Sequence, residues 1–180
     1  SGEIVRSTDH GSSFDNVTSP IAVHTHNKLL GVEFANNTFL AVGAVDIYNA
    51  GGGKSGVIIR STNDGESWDN VTSPTSNTLY GVAFGNDTFV AVGGSGTIVR
   101  STNNGTTWDN ATSPTGNQLN RSAFGNDTFV AVGALGSIVR SSDNGTSWDN
   151  VTSPTSNNLW RVGFGNDNFV AVGMFGTIVR

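Results

Sequence analysis

The sequence predicts an all-β protein assembled from repeated four-stranded antiparallel units. Three observations predict it. First, the segments that begin at Arg60, Arg100 and Arg140 are near copies spaced 40 residues apart, and a longer fourth copy begins at Arg6. Second, the chain is rich in Gly, Asn, Thr and Ser and poor in Lys and Glu, a composition that suits short strands and tight turns and disfavours helices. Third, no segment carries helical periodicity; short apolar runs alternate with turn signals instead.

The second copy shows the elements in order. Leu79 to Phe84 reads as a short apolar strand, A. Gly85-Asn86-Asp87 reads as a turn, because these residues tolerate positive φ. Thr88 to Gly93 is apolar on both faces, as in a strand buried between layers, B. Gly96 to Ser101 is strand C, Asn103-Asn104-Gly105 is a second turn, and Thr106 to Thr112 is strand D. Pro114 then stops ladder pairing and starts the link to the next copy.

Four antiparallel strands per ~40 residues is the arithmetic of a β-propeller blade. The 180 residues are expected to form a single propeller domain or propeller segment, 1–180, with repeats at 6–59, 60–99, 100–139 and 140–179. Large side chains repeated at one position, Trp68, Trp108 and Trp148 with Phe14 in the first copy, are expected to wedge between neighbouring blades. Strands A, B and D occur four times, whereas strand C occurs five times, ending at Arg6, Arg60, Arg100, Arg140 and Arg180. One strand is therefore spare. The spare strand fits an excerpt of a larger ring or array, a ring completed by a second copy, or a strand added to a neighbouring subunit.

The C–D hairpins carry a family resemblance. Ser7 to Phe14, Ser61 to Trp68, Ser101 to Trp108 and Ser141 to Trp148 resemble the Asp-box, S-x-D-x-G-x-x-W, of sialidase-like (BNR-repeat) propellers. The third position is Asp9 and Asp143 in two copies and Asn63 and Asn103 in the others; either side chain bonds its local backbone in such a turn. The resemblance covers essentially the whole chain. It implies a propeller with Asp-box turns, in which the box is structural and the fold hosts many activities. It also implies that the D–A and B–C connections share one face.

Variation among the copies concentrates on that face. The first copy has a longer D–A link around His24 and His26 and a longer B–C loop containing Asp46, Tyr48 and Lys54. Elsewhere the large substitutions fall at Tyr80, Asn120 and Trp160, at Arg121 and Arg161, and in the B–C loops at Gly94-Ser95, Ala134-Leu135 and Met174-Phe175. Loops on a rigid scaffold are the usual carriers of recognition. His24, His26, Asp46, Tyr48, Lys54, Tyr80, Arg121, Trp160 and Arg161 are thus the expected partner-binding residues, on a polar and aromatic surface suited to a protein or glycan.

Chemistry is weakly represented. Sialidase-like hydrolysis needs an acid, a nucleophile and an arginine cluster. Here five arginines repeat at one strand-C position, and most carboxylates repeat too. Of the unrepeated acids Glu3, Glu33, Asp46 and Glu66, only Glu33 and Asp46 are placed to meet, and an enzyme requires them to converge with Arg121 and Arg161 in one pocket. His24 and His26 supply two imidazoles, too few for a metal site. Gly51-Gly52-Gly53-Lys54-Ser55 lacks the spacing of a phosphate loop. No cofactor and no metal are expected.

The net charge of −5 argues against nucleic acid, and no apolar run reaches the roughly 20 residues that span a bilayer. Sequons occur at Asn16, Asn36, Asn70, Asn86, Asn104, Asn110, Asn120, Asn126, Asn144 and Asn150, candidate glycan sites that would place the protein at a cell surface. The expected function is a non-catalytic extracellular module for binding or for assembly of a surface structure or fibre, with self-association through the spare strand. The alternatives are a sialidase-like glycoside hydrolase and an intracellular assembly factor.

Overall fold

The protein is described by a computed structural model covering residues 3–21, 26–46 and 53–180. Its strands in chain order are β1 (Ile4–Arg6), β2 (Asp15–Val17), β3 (Lys28–Ala35), β4 (Thr38–Asp46), β5 (Lys54–Ser61), β6 (Asp69–Val71), β7 (Leu79–Gly85), β8 (Thr88–Gly93), β9 (Ile98–Ser101), β10 (Asp109–Ala111), β11 (Leu119–Gly125), β12 (Thr128–Gly133), β13 (Ile138–Ser141), β14 (Asp149–Val151), β15 (Leu159–Gly165), β16 (Asn168–Gly173) and β17 (Ile178–Val179). They form antiparallel sheets in sequence order: β1–β2, β3–β6, β7–β10, β11–β14 and β15–β17. Three four-stranded blades are thus flanked by a two-stranded and a three-stranded sheet. There are five sheets, not four, because the first C–D pair and the last A–B–C set do not join.

Strands A of successive sheets, β3, β7, β11 and β15, run beside one another, and the three four-stranded sheets extend outward from them to their D strands. This radial stack is a β-propeller arc. Each A–B turn is a two-residue hairpin whose residues are both left-handed, such as Asn86 (φ 44°) and Asp87 (φ 54°), the primed turn that twisted strands favour. Gly85 is needed for a different reason from its turn neighbours: a Cβ there would overlap the ring of Phe124 from the next blade.

The core lies between blades. Leu40, Val42 and Ile58 of one blade pack on Phe89, Ala91, Val99 and Trp108 of the next. Val90, Val92 and Ile98 then pack on Phe129, Ala131, Val139 and Trp148. Phe89 and Phe129 are completely buried, each worth about 1.5–3 kcal/mol of transfer free energy. Trp108 and Trp148 are wedges as expected, and their indole Nε1 groups donate to Gly105 and Gly145 carbonyls at 3.2 and 3.1 Å. Phe14 is not a wedge: it is 61% exposed, because no sheet covers its side of β1–β2.

The turns between C and D are held by one internal network. Asp143 Oδ1 accepts from Ser141 Oγ and from the Ser147 amide at 2.8 and 2.9 Å, and its Oδ2 accepts from Ser147 Oγ at 2.6 Å. Asn63 keeps the first two contacts and reverses the third, its Nδ2 donating to Ser67 Oγ at 2.9 Å. The hydroxyl rotor makes Asp and Asn interchangeable here.

Candidate functional site

In the second, third and fourth copies the variable B–C turn and D–A link lie together; most of the two insertions of the first copy falls outside the described residues. The B–C turn of those three copies is a 3-10 turn, Gly94–Gly96, Ala134–Gly136 or Met174–Gly176. Each is tied to the D–A link of its own blade, by Gly94 N to Thr78 O, Ala134 N to Gln118 O and Met174 N to Asn158 O. The Leu135 amide also donates to Asn158 Oδ1 of the following blade at 2.9 Å. Loops of adjacent blades therefore form a continuous surface.

Every A strand shifts register at the same place, between Leu29 and Gly31, Leu79 and Gly81, Leu119 and Arg121, and Leu159 and Arg161. The bulged residues are Leu30, Tyr80, Asn120 and Trp160. Bulges re-aim side chains and are frequent beside functional sites, and here they coincide with the variable position. The bulge leads to different ends in each copy. Asn120 is buried and donates to Leu159 O at 2.7 Å. Tyr80 is half-buried. Trp160 is 44% exposed.

The two special arginines divide in the same way. Arg121 lies across Gly81, whose missing side chain leaves the room. Its guanidinium donates to the carbonyls of Tyr80, Asn120 and Leu30, stapling three blades together. Burial, and then the charge of Arg161, lowers its pKa. Arg161 is exposed, and among the described residues its Nη1 donates to the Trp160 carbonyl alone, at 3.4 Å. Arg121 is thus a structural residue, and Arg161 is the charge on display.

Two residues absent from the expected binding set stand out. Leu135 (φ 54°) and Phe175 (φ 54°) occupy the left-handed centre of their B–C turns, where the second copy has Ser95 (φ 52°). Left-handed backbone costs a residue with a Cβ roughly 1–2 kcal/mol. Neither side chain recovers it by packing, since Leu135 is 67% and Phe175 85% exposed. The signal was in the sequence: a bulky apolar residue directly before the turn glycine.

Of the remaining expected residues, His24 and Tyr48 lie outside the described residues, as does the side chain of Asp46. His26 and Lys54 are exposed. Asp46 and Lys54 are opposed in the β4–β5 ladder, so the insertion lengthens that hairpin beyond its counterparts. Glu33 is half-buried on β3, and burial raises its pKa. Among the described residues the one ion pair joins Arg6 to Glu66, at 3.6 Å; Glu33 pairs with neither arginine. No group of three metal-ligating side chains occurs among the described residues.

The sequon asparagines do structural work. Asn70, Asn110 and Asn150 donate to Pro20, Pro74 and Pro114 carbonyls of the preceding link. Asn36, Asn86 and Asn126 donate to Asp87, Asp127 and Asp167 in the next A–B turn. Asn104 Nδ2 donates to Thr38 Oγ1 at 2.7 Å, whereas Asn16 and Asn144 are exposed. Asn120 is removed from the candidate glycan sites, because its amide is buried in the bond to Leu159.

No family model and no curated protein matches the sequence. Solved structures do match. YCF48 bound to D1 peptide is 18% identical, with a TM-score of 0.68 over 98% of this chain and 55% of its own. The computationally designed Ika4 protein is 14% identical, with a TM-score of 0.62 over 88% of this chain and 92% of its own. The GH74 enzyme of Niastella koreensis is 18% identical, with a TM-score of 0.57 over 87% of this chain and 23% of its own. The chain spans about half the length of YCF48. These likenesses establish the β-propeller fold.

Proposed function

We propose that the chain is a non-catalytic binding module of the Asp-box propeller group, whose loop-bearing end takes an extended peptide segment of a protein partner. The observation that carries this reading is Phe175, 85% exposed at a left-handed position. Strained backbone of this kind clusters at ligand clamps and active sites, and the ring has no packing inside the chain that would offset the strain. Trp160 and Arg161, both exposed on β15 of the same sheet, supply an aromatic face and a displayed cation, two residue types that dominate binding hot spots. YCF48, of the same fold, binds a peptide. A phage-displayed library of random linear peptides tests the reading. Selected peptides are expected to bind the wild type and to lose at least about tenfold in affinity with Phe175→Gly or Arg161→Ala. Absence of enrichment, or peptides indifferent to both substitutions, overturns it.

The module is proposed to work outside the cell. Eight of the ten sequon asparagines sit exposed on turns or outer strands, where a glycan leaves the core undisturbed. Mass spectrometry of natively produced protein, before and after glycan removal, is expected to show a loss of mass. An unchanged mass contradicts the glycoprotein reading.

A further inference from the structure

The sequons fall into four structural classes: A–B turns, box turns, an A-strand bulge and outer D strands. Hydrogen bonding separates them. Attaching a glycan turns the Asn side chain from a primary into a secondary amide. Nδ2 then keeps one N–H of its two, and it carries a bulky group that needs open solvent. A sequon whose Nδ2 uses both hydrogens, or is buried, loses native bonds when modified. A sequon whose Nδ2 uses one, at the surface, keeps them.

In the A–B turns, Asn36, Asn86 and Asn126 are left-handed. Each carbonyl accepts the hydroxyl of its own sequon threonine: Thr38 and Thr88 at 3.2 Å, and Thr128 at 3.1 Å. The sequon is thus closed on itself, and Thr38 and Thr88 are buried. Asn86 Nδ2 also uses both hydrogens across the blade junction, on Asp127 Oδ1 at 3.0 Å and on Asn144 Oδ1 at 3.3 Å. In the box turns, Asn104 Nδ2 donates to Thr38 Oγ1 at 2.7 Å and to Asn36 O at 3.5 Å. Arg100 Nη1 holds the other box sequon at two points, donating to Asn144 O and to Thr146 Oγ1. At the bulge, Asn120 and its sequon serine, Ser122, are both buried.

The outer strands differ on each count. Asn70 lies in β6, Asn110 in β10 and Asn150 in β14, the D strands at the rims of their sheets. Each asparagine is exposed, and so is its sequon threonine, Thr72, Thr112 or Thr152. Among the described residues each Nδ2 makes one bond, to the carbonyl of Pro20, Pro74 or Pro114 at 3.3, 3.2 and 3.1 Å. One N–H is left for a glycan to replace.

We propose that the outer-strand asparagines, Asn70, Asn110 and Asn150 with Asn16 at the same repeat position in β2, are the glycan acceptors of this chain, and that the turn, box and bulge sequons stay unmodified. The proposal rests on the extracellular reading given above. The donor is a lipid-diphosphate-linked oligosaccharide, handled by an oligosaccharyltransferase. Asn Nδ2 attacks the anomeric carbon of the donor. The new N–C bond forms as the C–O bond to the diphosphate breaks, and the lipid diphosphate leaves with the electron pair. One proton passes from Nδ2 to a base of the transferase. The remaining N–H serves the proline carbonyl. Glycans then recur every 40 residues along the rim, beside the open strand edges that otherwise invite pairing with another chain.

Secretion of the 180-residue chain from an N-glycosylating yeast tests the choice of sites whatever the native compartment. The folded secreted protein is treated with a peptide-N-glycosidase in heavy-oxygen water, which turns each glycosylated Asn into a labelled Asp, and its peptides are read by mass spectrometry. Label is expected at Asn70, Asn110 and Asn150, with Asn86, Asn104 and Asn120 unlabelled. Label at any of the last three overturns the proposal, as does its absence from the outer strands. Unglycosylated protein made in a bacterium checks the physical cause, and stays decisive if the yeast retains the chain. Asn86→Asp removes both donors from a blade junction and is expected to lower the urea midpoint. Asn110→Asp is expected to leave the midpoint unchanged within error. Equal falls for the two variants overturn the proposal. An unchanged mass of the native protein on glycan removal contradicts the extracellular reading alone, so the two readings fail separately.

Discussion

The run Phe-Val-Ala-Val-Gly occurs in β8, β12 and β16, yet the three strands live differently. In β8 every residue from Thr88 to Gly93 is buried, and in β12 all but Thr128 are. In β16 only Ala171 is. Identical sequence and identical hairpins thus give opposite burial. What differs is the number of neighbours: β8 and β12 sit between two blades, and β16 has one. Stability in this molecule belongs to junctions, not to blades, as in other one-dimensional repeat proteins.

Substitutions at equivalent positions inside and at the end of the arc sharpen this contrast, and the largest effect is expected at the wedge. Trp148→Ala opens a cavity in a complete junction and is expected to cost about 3–5 kcal/mol. Phe14→Ala, at the same repeat position on the exposed flank, is expected to cost under about 0.5 kcal/mol at concentrations where the chain is monomeric. The glycine positions repeat the experiment with an added atom. Gly125→Ala drives a Cβ into the Phe164 ring and is expected to cost about 1–3 kcal/mol. Gly165→Ala meets nothing within 4 Å and is expected to be neutral. Urea denaturation of the four variants reads the differences. Equal losses within either pair would place the stability inside the blade.

The sequence carried the blade and hid the junction. The 40-residue period and the Asn-Asp turns located strands A to D, because those features are local and repeated. Strand D was expected from Thr106 to Thr112 and pairs only over Asp109–Ala111, since the box network holds the residues before it. The division between Arg121 and Arg161 was not legible: both occupy the same repeat position, and only the glycine at 81 in the neighbouring blade turns one into a staple. Asn120 misled for the same reason. Its sequon is intact, but its bulge points it at Leu159 of the next blade. What depends on a residue forty positions away leaves no trace in the local pattern.

The smallest expected effect concerns acid, and it separates the inner box turns from the outer one. Hydrogen bonds from the side chain and then the backbone of Ser147 hold Asp143 at a pKa of about 2, and those from Ser13 do the same for Asp9, against an ordinary value of 3.8. A carboxylate with a depressed folded pKa stabilises fully above its unfolded value. That contribution is lost as pH falls from about 4 toward 2. Glu33 acts in the opposite sense, since burial raises its pKa from 4.5 and its contribution declines as pH rises above that value. The Asn63 and Asn103 boxes do not titrate. Asp143→Asn keeps the turn, because Asn63 shows how the amide replaces the carboxylate, and is expected to flatten the fall in urea midpoint between pH 4 and 2. Asp9→Asn is expected to leave that fall unchanged. Its box joins β1 to β2, a two-stranded sheet exposed at the end of the arc, which opens locally before the blades separate. If Asp9→Asn flattens the acid limb as much as Asp143→Asn does, the β1–β2 sheet unfolds with the blades, and the end of the arc is as firmly held as its middle.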